Sequence, residues 1–516
     1  MVVIGATLGS TILGFGREIV NAKYFGAQQV MDTFLAAATI PTILFGAFNG
    51  ALLTALIPTF SSYIARGEEN QLWRLASTII NVLLVALSLG AIAGWIGAPY
   101  YVPRIIRFSD PAQIAKTVEM TQWLMPTIIA TSLAGVISAM LNAYHRFSAT
   151  AVQGIAINIV TISVVIATFH RMGIFALVLG TTLGLGAQLF VQLPAFLQMR
   201  RFRFILDLRH PGFAEILSRI GPILVGSAAG QMAMFFDRYF SSTLSPGYMA
   251  GMNYAVKLAN FPQQIFAAAI ATVLFPLFAS QYAIDNRQGV RRTLSMGLRV
   301  VFLVMIPAVC GLLVLDHQIV RALFERGAFQ ASATDLTSGL LPFTVVGLFA
   351  LAANVVLTRC AFACNETRYA VAISIFSVVA NVALSLLWLP TLGARGLLLA
   401  NSVSQSLQAV LLFVLVWRVI GGLQWRPILK SVLGVTASSG VMVFTLRWLG
   451  LLEPARSVGF VQTEFLVGQM IIGAMVFVGI LRLVGNEELS LAFDLVAEKI
   501  RRDLPSAPEN KESPIA

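Results

Sequence analysis

Charged side chains stand inside long apolar stretches of this sequence. A charge at the centre of a bilayer costs a few kcal/mol, so such residues normally face a protein interior or a water-filled cavity. The cations among them suit an anionic headgroup, and arginine suits phosphate especially because its guanidinium group donates two parallel hydrogen bonds. We therefore expect a cavity that binds the headgroup of an anionic amphiphile, with the candidate residues Arg17, Glu18, Asp32, Asn49, Arg238 and Lys257.

The adjacent opposite charges in the first and seventh apolar stretches also have a structural interpretation. They can pair locally or extend to the membrane interface. Asp237 is alternatively a ligand of a coupling cation, together with Asn381 and Asn401 in later apolar stretches. Polar contacts between neighbouring helices would explain the same asparagines. Both interpretations stay open at this point.

Motifs of enzymatic and metal chemistry are absent from the sequence. It contains no phosphate-binding GxxxxGK[ST], no zinc-binding HExxH and no nucleophile elbow. Its three cysteines, Cys310, Cys360 and Cys364, lie in apolar runs without a nearby histidine, which predicts neither a disulfide framework nor a zinc site. We expect no enzyme, no metal site and no cofactor, apart from coupling to the membrane potential or to a monovalent cation.

Membrane-spanning helices must position these residues. Of the 516 residues, 57% are hydrophobic and 11% are charged, whereas about a quarter of the residues of soluble chains are charged. Apolar stretches of about 18 residues or more recur along the chain, which favours an all-α polytopic membrane protein over a barrel. The sequence predicts about fourteen spans, centred near residues 11, 45, 86, 131, 159, 186, 228, 266, 304, 351, 379, 406, 439 and 473.

The distribution of positive charge predicts the orientation of these spans. With a cytoplasmic amino terminus, the inward segments hold 22 of the 35 lysines and arginines and the outward segments hold 11. Cytoplasmic loops carry such an excess, so both termini are predicted to be cytoplasmic. The bias also explains the net charge of +12 without a nucleic-acid partner, because a basic cytoplasmic face lies against anionic lipid headgroups.

An internal repeat organises the predicted spans. MDTFLAAATIP at residues 31–41 matches MNYAVKLANFP at 252–262, and PTFSSYIA at 58–65 matches PLFASQYA at 276–283. Six spans separate the copies, so both begin with the same orientation and predict two parallel six-helix lobes. The predicted parts are an N-terminal lobe (1–199), an interfacial linker (200–213), a C-terminal lobe (214–420), an extra C-terminal helix pair (421–485) and a cytoplasmic amphipathic tail (486–516).

Several motifs resemble the MurJ (MviN) family of lipid II flippases, which belongs to the multidrug/oligosaccharidyl-lipid/polysaccharide exporter superfamily. They include LGFGRE at 13–18, MDTFLAAATIP, NYAxKLxxFP within 253–262, LFERGAF at 323–329 and LGARGLLLANS at 392–402. The resemblance implies fourteen helices, a central cationic cavity, and a groove in the last two helices for a polyprenyl tail. Arg17 matches a family cavity arginine, and Lys257 stands where the family usually has arginine.

Two places depart from this family pattern. Thr11 stands where the family has a further arginine, and LFGAFNG at 44–50, with no charge at 44–46, replaces a paired arginine and a later glutamate. The cavity is therefore expected to be less cationic than is usual for the family. This departure leaves another lipid-linked glycan as an alternative substrate.

Together these features predict a flippase of the bacterial cytoplasmic (inner) membrane that works by alternating access. It would move a polyprenyl-diphosphate-linked glycan, lipid II for peptidoglycan synthesis, from the inner to the outer leaflet. The alternatives are a flippase for another lipid-linked oligosaccharide such as O-antigen or exopolysaccharide, a cation-coupled multidrug exporter of the same superfamily, or a non-transporting scaffold. The expected partners are the lipid-linked glycan, the bilayer and cell-wall synthesis proteins.

Overall fold

The chain folds into helices, as the apolar stretches of its sequence predict. A computed structural model describes residues 2–199, 202–451, 460–486 and 489. Within these residues the helices are α1 (Val2–Phe25), α2 (Gln29–Ala65), α3 (Glu69–Ile105), α4 (Pro111–Leu124), α5 (Thr127–Ala143), α6 (Phe147–Ala151), α7 (Gln153–Met172), α8 (Phe175–Leu197), α9 (Pro211–Ser241), α10 (Tyr248–Ala283), α11 (Arg287–Val314), α12 (Asp316–Phe324), α13 (Ala331–Val345), α14 (Leu348–Ala363), α15 (Thr367–Leu392), α16 (Ala394–Ile420), α17 (Trp425–Gly450) and α18 (Phe460–Leu483).

The predicted spans correspond to these helices. Each of the fourteen predicted centres lies in a helix, when α4–α5, α6–α7 and α13–α14 are each taken as one span. Among the described residues, nine helices are long and apolar enough to cross a membrane, or ten with the bent pair α13–α14. The four spans outside this set, α1, α2, α9 and α10, are the ones that carry the charged candidates. The protein is therefore a multi-pass membrane protein, and the full count of fourteen stays a prediction.

Matching turns connect equivalent helices of the two lobes. Gly173, between α7 and α8, has φ 55° and ψ −129°, and Gly393, between α15 and α16, has φ 55° and ψ −131°. His145 after α5 and Asn365 after α14 both have left-handed φ, at 58° and 62°. Positive φ is uncommon for residues other than glycine, so this recurrence points to a shared backbone design. These turns fit the parallel repeat that the sequence motifs predict.

Breaks in the fourth span of each lobe are a second shared feature. α4 ends at Leu124 and α5 begins at Thr127, with Pro126 between them; proline lacks the N–H that would continue the helix. In the second lobe α13 ends at Val345 and α14 begins at Leu348, with a bend of 43°. The exact limits of the predicted lobes stay predictions.

The segment between the lobes has no helix or strand in its described residues 202–210. Arg74 and Asp207 form an ion pair of 2.8 Å, and the backbone N–H groups of Arg203 and Asp207 donate to Ser77 Oγ and Thr78 Oγ1 of α3. These contacts fix the segment along the start of α3, and the Phe204 side chain, which is 86% exposed, points away from the helices. The predicted amphipathic tail lies outside the described residues, except for positions 486 and 489.

Candidate functional site

The two lobes touch at the end of the molecule where α1 finishes, which the charge distribution predicts to be the outer side. The Ala328 N–H donates to the Lys23 carbonyl at 2.8 Å, and Gln28 Nε2 donates to the Ala328 carbonyl at 3.2 Å. Gly327 has φ 62°, and a Cβ there would collide with the Lys23 carbonyl. The LFERGAF motif therefore provides a close backbone contact. We call the contacts of residues 23–32 with 247–254 and 324–329 the outer contact.

Asp32 belongs to this outer contact. Its carboxylate accepts backbone hydrogen bonds from Gly247 at 2.5 Å and from Ala250 at 2.7 Å, and its side chain is buried. A carboxylate in this position satisfies N–H groups at the start of α10 and interacts favourably with the helix dipole. Asp32 lines none of the three cavities described below. The structure thus places this headgroup candidate at a helix cap that joins the lobes.

Arg17 and Glu18 lie at a cavity between the lobes. This Arg17 cavity has a volume of about 390 Å³ and is lined by α1, α7 and α8 of the first lobe and by α10 of the second. Arg17 Nη2 lies 3.1 Å from Glu18 Oε1, and the Arg17 side chain is 28% exposed. The local pair considered from the sequence therefore forms, while the guanidinium still borders the cavity. Thr11, the position of the missing family arginine, also lines it.

Lys257 connects this cavity to a second one. It lines the Arg17 cavity and also the Asp237 cavity, which has about 440 Å³ and lies among α9, α10, α14 and α16. Its side chain is exposed to these spaces. The structure thus brings Arg17 and Lys257 to one cavity, as the headgroup hypothesis requires. Arg238 lines the Asp237 cavity and donates to Asn253 Oδ1 at 3.0 Å.

The three candidate cation ligands lie close together in the second lobe. Asn381 Nδ2 donates to Asp237 Oδ1 at 3.2 Å, and Asn401 lines the same cavity as Asp237. Asn381 Oδ1 is buried and, among the described residues, has no hydrogen-bond partner. Carbonyl and carboxylate oxygens are the ligands of hard cations. The Asn381–Asp237 hydrogen bond is also the polar contact between helices that the sequence allowed, and Asn381 does not line the cavity, so the cation stays a prediction.

Asn49 lies in a different place from the other headgroup candidates. It lines a cavity of about 310 Å³ inside the first lobe, among α2, α5, α6, α7 and α8, which we call the Asn49 cavity. The sequence places Asn49 in the second span but does not show which face of the helix it occupies. The structure therefore does not bring Asn49 to Arg17 and Lys257.

Several polar residues of the two charged cavities were not identified from the sequence. Asn158 of α7 lines the Arg17 cavity and donates to the Ser10 carbonyl at 3.1 Å, which ties α7 to α1. Gln264 lines the same cavity, and Asn253 and Asn260 line the Asp237 cavity. The available signal was an amide side chain within an apolar stretch, the same signal that selected Asn381.

The arrangement provides cations and hydrogen-bonding groups in cavities between membrane helices. Within the described ranges, no group of three or more His, Cys, Asp or Glu side chains could hold a metal ion. Arg17 and Lys257 can contact an anionic group in one cavity, which the amide side chains of Asn158 and Gln264 also line. The site has the chemistry of binding and release.

Comparisons with known proteins identify related sequences along nearly the whole chain. A family model described as lipid II flippase MurJ matches residues 21–472. The lipid II flippase MurJ of Burkholderia cenocepacia is 27% identical over 424 residues, covering 80% of this chain and 82% of that protein. The probable lipid II flippase MurJ of Rhizobium tropici is 29% identical over 510 residues, covering 91% of this chain and 94% of that protein.

Solved structures share the fold. A lipid II flippase MurJ in an inward closed conformation has a TM-score of 0.80 and 21% identity, with 95% of this chain and 98% of that chain covered. An inward-facing multidrug resistance MATE transporter of the MOP superfamily has a TM-score of 0.65 and 15% identity, covering 80% of this chain and 94% of that one. These similarities show that the chain shares the helical fold of both structures.

Proposed function

The chain belongs to the MurJ family of lipid II flippases, and we propose that it moves lipid II from the inner to the outer leaflet by alternating access. The observation that carries this proposal is the meeting of Arg17 and Lys257 at one cavity between the lobes. A diphosphate carries the negative charge that two such cations bind. The two relatives described above carry the name of lipid II flippase or probable lipid II flippase.

The polar headgroup is the physical obstacle to flipping. Each unsatisfied polar group costs several kcal/mol in hydrocarbon, and a glycan linked to a peptide has many such groups. A polar cavity between two lobes removes this cost while the polyprenyl tail stays in lipid, in the proposed groove of residues 421–485. Rocking of the lobes exposes the cavity to each side in turn. No covalent bond changes, so the protein acts as a transporter and not as an enzyme.

The outer contact is the barrier that must open in this cycle. It joins α1 and α2 of the first lobe to α10 and α12 of the second through backbone hydrogen bonds and the Asp32 cap. On the second-lobe side of this contact, the rings of Tyr254, Phe324 and Phe329 pack with centroids 5.3–5.7 Å apart. Headgroup release to the outer side requires the hydrogen bonds between the two lobes to break.

Two energy sources are available for net transport. With a negative interior, moving two negative charges outward gains roughly 4.6 kcal/mol per 100 mV. A monovalent cation at Asp237, Asn381 and Asn401 would provide a second source, supported by the unpaired Asn381 oxygen. We place the protein in the bacterial cytoplasmic membrane with both termini in the cytoplasm, where it would work beside cell-wall synthesis proteins.

Substitution of the two cavity cations tests the proposal. Arg17→Ala and Lys257→Ala should each abolish rescue of cells depleted of their lipid II flippase, with unchanged abundance in the membrane. Lys116→Ala removes an exposed cation of α4 that lines neither cavity, and this variant should rescue fully. Full rescue by either cavity variant would contradict the assignment of these residues.

Vesicle reconstitution tests the substrate. Purified protein should flip lipid II faster than polyprenyl-linked O-antigen or exopolysaccharide precursors. Thr11 lines the Arg17 cavity at a position where the family has a cation. This difference supports the alternative function, a flippase for another lipid-linked glycan. Faster flipping of another lipid-linked glycan would favour that candidate, and efflux of drugs without flipping would favour a multidrug exporter.

A further inference from the structure

The Asn49 cavity differs from the two charged cavities in its chemistry. None of its eleven described lining residues is ionisable. Seven of them carry an amide or a hydroxyl group, namely Asn49, Thr131, Ser138, Asn142, Thr150, Gln153 and Gln188. A cation or an anion would find no countercharge on these walls. The cavity therefore suits an uncharged ligand that makes many hydrogen bonds.

Two polar atoms of the cavity residues lack a partner. Asn49 Oδ1 and Gln188 Nε2 are both buried, and among the described residues neither makes a hydrogen bond. Gln188 is 94% buried, since its residue exposure is 6%. Most buried polar atoms in proteins are hydrogen-bonded, so an unpaired acceptor and an unpaired donor at one cavity require an explanation. Both side chains line the cavity, so a rotation of their amide groups toward a ligand with hydroxyl and amide groups would give both atoms partners.

The walls of this cavity are held in place by other contacts. Ser138 Oγ donates to Gln192 Oε1 at 3.0 Å, and Gln192 Nε2 donates to Gln153 Oε1 at 2.8 Å. Gly135 lies directly against Asn49, because a Cβ at this position would collide with Asn49 Oδ1. The glycine thus leaves space for the amide, and the chain of hydrogen bonds ties α5, α8 and α7 together. Such preorganised polar walls are a property of ligand sites.

The size and position of the cavity identify the part of a substrate that it fits. Its volume of about 310 Å³ is at the lower end of the range of about 300–1,000 Å³ that ligand cavities span. This cavity therefore accommodates one sugar ring rather than a whole glycan and peptide. Phe147, 44% exposed, offers an aromatic face at the rim. Gln153 lines this cavity and the next residue, Gly154, lines the Arg17 cavity. The two cavities therefore lie on either side of the first turn of α7.

We propose that the Asn49 cavity is a carbohydrate subsite, which receives one uncharged sugar ring of the lipid-linked substrate while Arg17 and Lys257 bind the diphosphate. This proposal rests on the flippase function proposed above. It assigns the recognition of the sugar to the interior of the first lobe, and the recognition of the charge to the space between the lobes. The sugar then adds affinity and selectivity that the cations cannot provide, because every polyprenyl diphosphate presents the same charge.

The test compares two lipids that differ only in the headgroup beyond the diphosphate. Asn49→Leu and Gln188→Leu each replace an amide by an apolar side chain of similar size. Each should weaken binding of lipid II to the purified full-length protein in nanodiscs about tenfold, the effect of one lost hydrogen bond at a buried group. Binding of undecaprenyl diphosphate, which has no sugar, should stay unchanged.

A matched control is available in α18. Gln469 is 2% exposed, its amide atoms have no partner among the described residues, and it lines none of the three cavities. Gln469 lies in the proposed tail groove of residues 421–485, but both lipids carry the same tail, so Gln469→Leu should leave the ratio of the two affinities at the wild-type value. Gel filtration and thermal melting check the fold of each test variant. Because Asn49 and Gln188 lie on separate helices, one variant still gives the test if the other fails to fold.

The outcomes separate this proposal from the proposed function. A lower affinity for lipid II alone supports the carbohydrate subsite. An unchanged ratio in both folded variants shows that the cavity holds only water and overturns the subsite, while leaving the flippase function intact. Equal affinity of the wild type for the two lipids also overturns it. Failure of the wild type to bind either lipid overturns the proposed function, and the subsite with it.

Discussion

Removal of the Asp32 carboxylate should open the outer contact. Asp32 lies on α2 of the first lobe, yet both of its hydrogen bonds go to N–H groups at the start of α10 in the second lobe. These bonds exist only while the lobes are together at this end. In Asp32→Ala the two N–H groups stay unpaired in the closed state but bind water once the lobes separate. The substitution therefore destabilises the closed state selectively.

The structure allows an estimate of this shift. A hydrogen bond to a charged group contributes about 1.5–3 kcal/mol, and water replaces part of this in the open state. We expect a net loss of about 2–3 kcal/mol for the pair, because both bonds are short and buried. The ratio of open to closed molecules should therefore rise roughly 30- to 150-fold. Asp32→Asn retains one acceptor oxygen and should give a smaller rise.

Spin labels across the outer contact can measure this ratio. Lys116 on α4 and Ser332 on α13 are exposed and lie near the starts of helices in opposite lobes, so cysteines there report the separation of the lobes. The native cysteines are first replaced by alanine or serine. Pulsed electron–electron double resonance should show a population with a longer distance between the labels in Asp32→Ala. This population should be minor in the labelled protein that retains Asp32.

Asp110 provides the matched control. Its carboxylate accepts from the Ala112 N–H at 2.9 Å, which caps α4, and from Gln29 Nε2 of α2 at 3.2 Å, but both partners belong to the same lobe as Asp110. Asp110→Ala should cost about as much helix stability as any lost N-cap, about 1 kcal/mol, without changing the distance between the lobes. An Asp32→Ala distance distribution indistinguishable from that of Asp110→Ala would refute the argument that Asp32 holds the outer contact closed.

Two further predictions concern the cation ligands and the segment between the lobes. If Asp237 binds a monovalent cation, sodium should raise the melting temperature of the wild type relative to choline. At a hundredfold excess of sodium over its Kd, the free energy of unfolding should rise by about 2.7 kcal/mol. Asp237→Asn should remove this effect, whereas Asp335→Asn, at an exposed site, should retain it. His210 accepts from the Gly212 N–H through Nδ1 at 3.1 Å, which requires a neutral ring, and burial lowers the pKa of this imidazole. The stabilisation by this cap is therefore complete above the unfolded pKa of about 6.5 and is lost as the pH falls through the lower folded pKa. Between pH 7.5 and 5.5 the melting temperature should fall more in the wild type than in His210→Asn. Equal falls would contradict this role of His210.

The sequence predicted the helical architecture because apolar length and charge spacing are local properties. The centres of all fourteen predicted spans fall in helices, and the repeat of MDTFLAAATIP in MNYAVKLANFP corresponds to α2 and α10, each with two prolines inside. The broken fourth spans were not predicted, since Pro126 alone does not tell whether a helix ends or only bends.

Site residues were predicted less completely because burial of a charge has several solutions. A carboxylate in an apolar span can face a cavity, pair with a cation or cap another helix, and Asp32 does the last of these with N–H groups more than 200 positions away. Asn49 shows the same limit, because one span has several faces and only the packing of α5 and α8 decides which one meets water. Arg17 and Lys257 meet because both lie on the opening helices of their repeats, which the motifs did indicate.

Lys257 lies at the wall of two cavities, so the proposed anion in one and the proposed cation in the other would influence each other's binding. An anion in the Arg17 cavity attracts the ammonium group, which leaves the Asp237 cavity less positive and more receptive to a cation. Thermodynamic reciprocity then requires the cation to raise the affinity for the anion by the same factor. The flexible side chain of Lys257 can thus make binding of the anionic substrate and of the coupling cation cooperative. This cooperativity needs no rearrangement of the helices that line the two cavities.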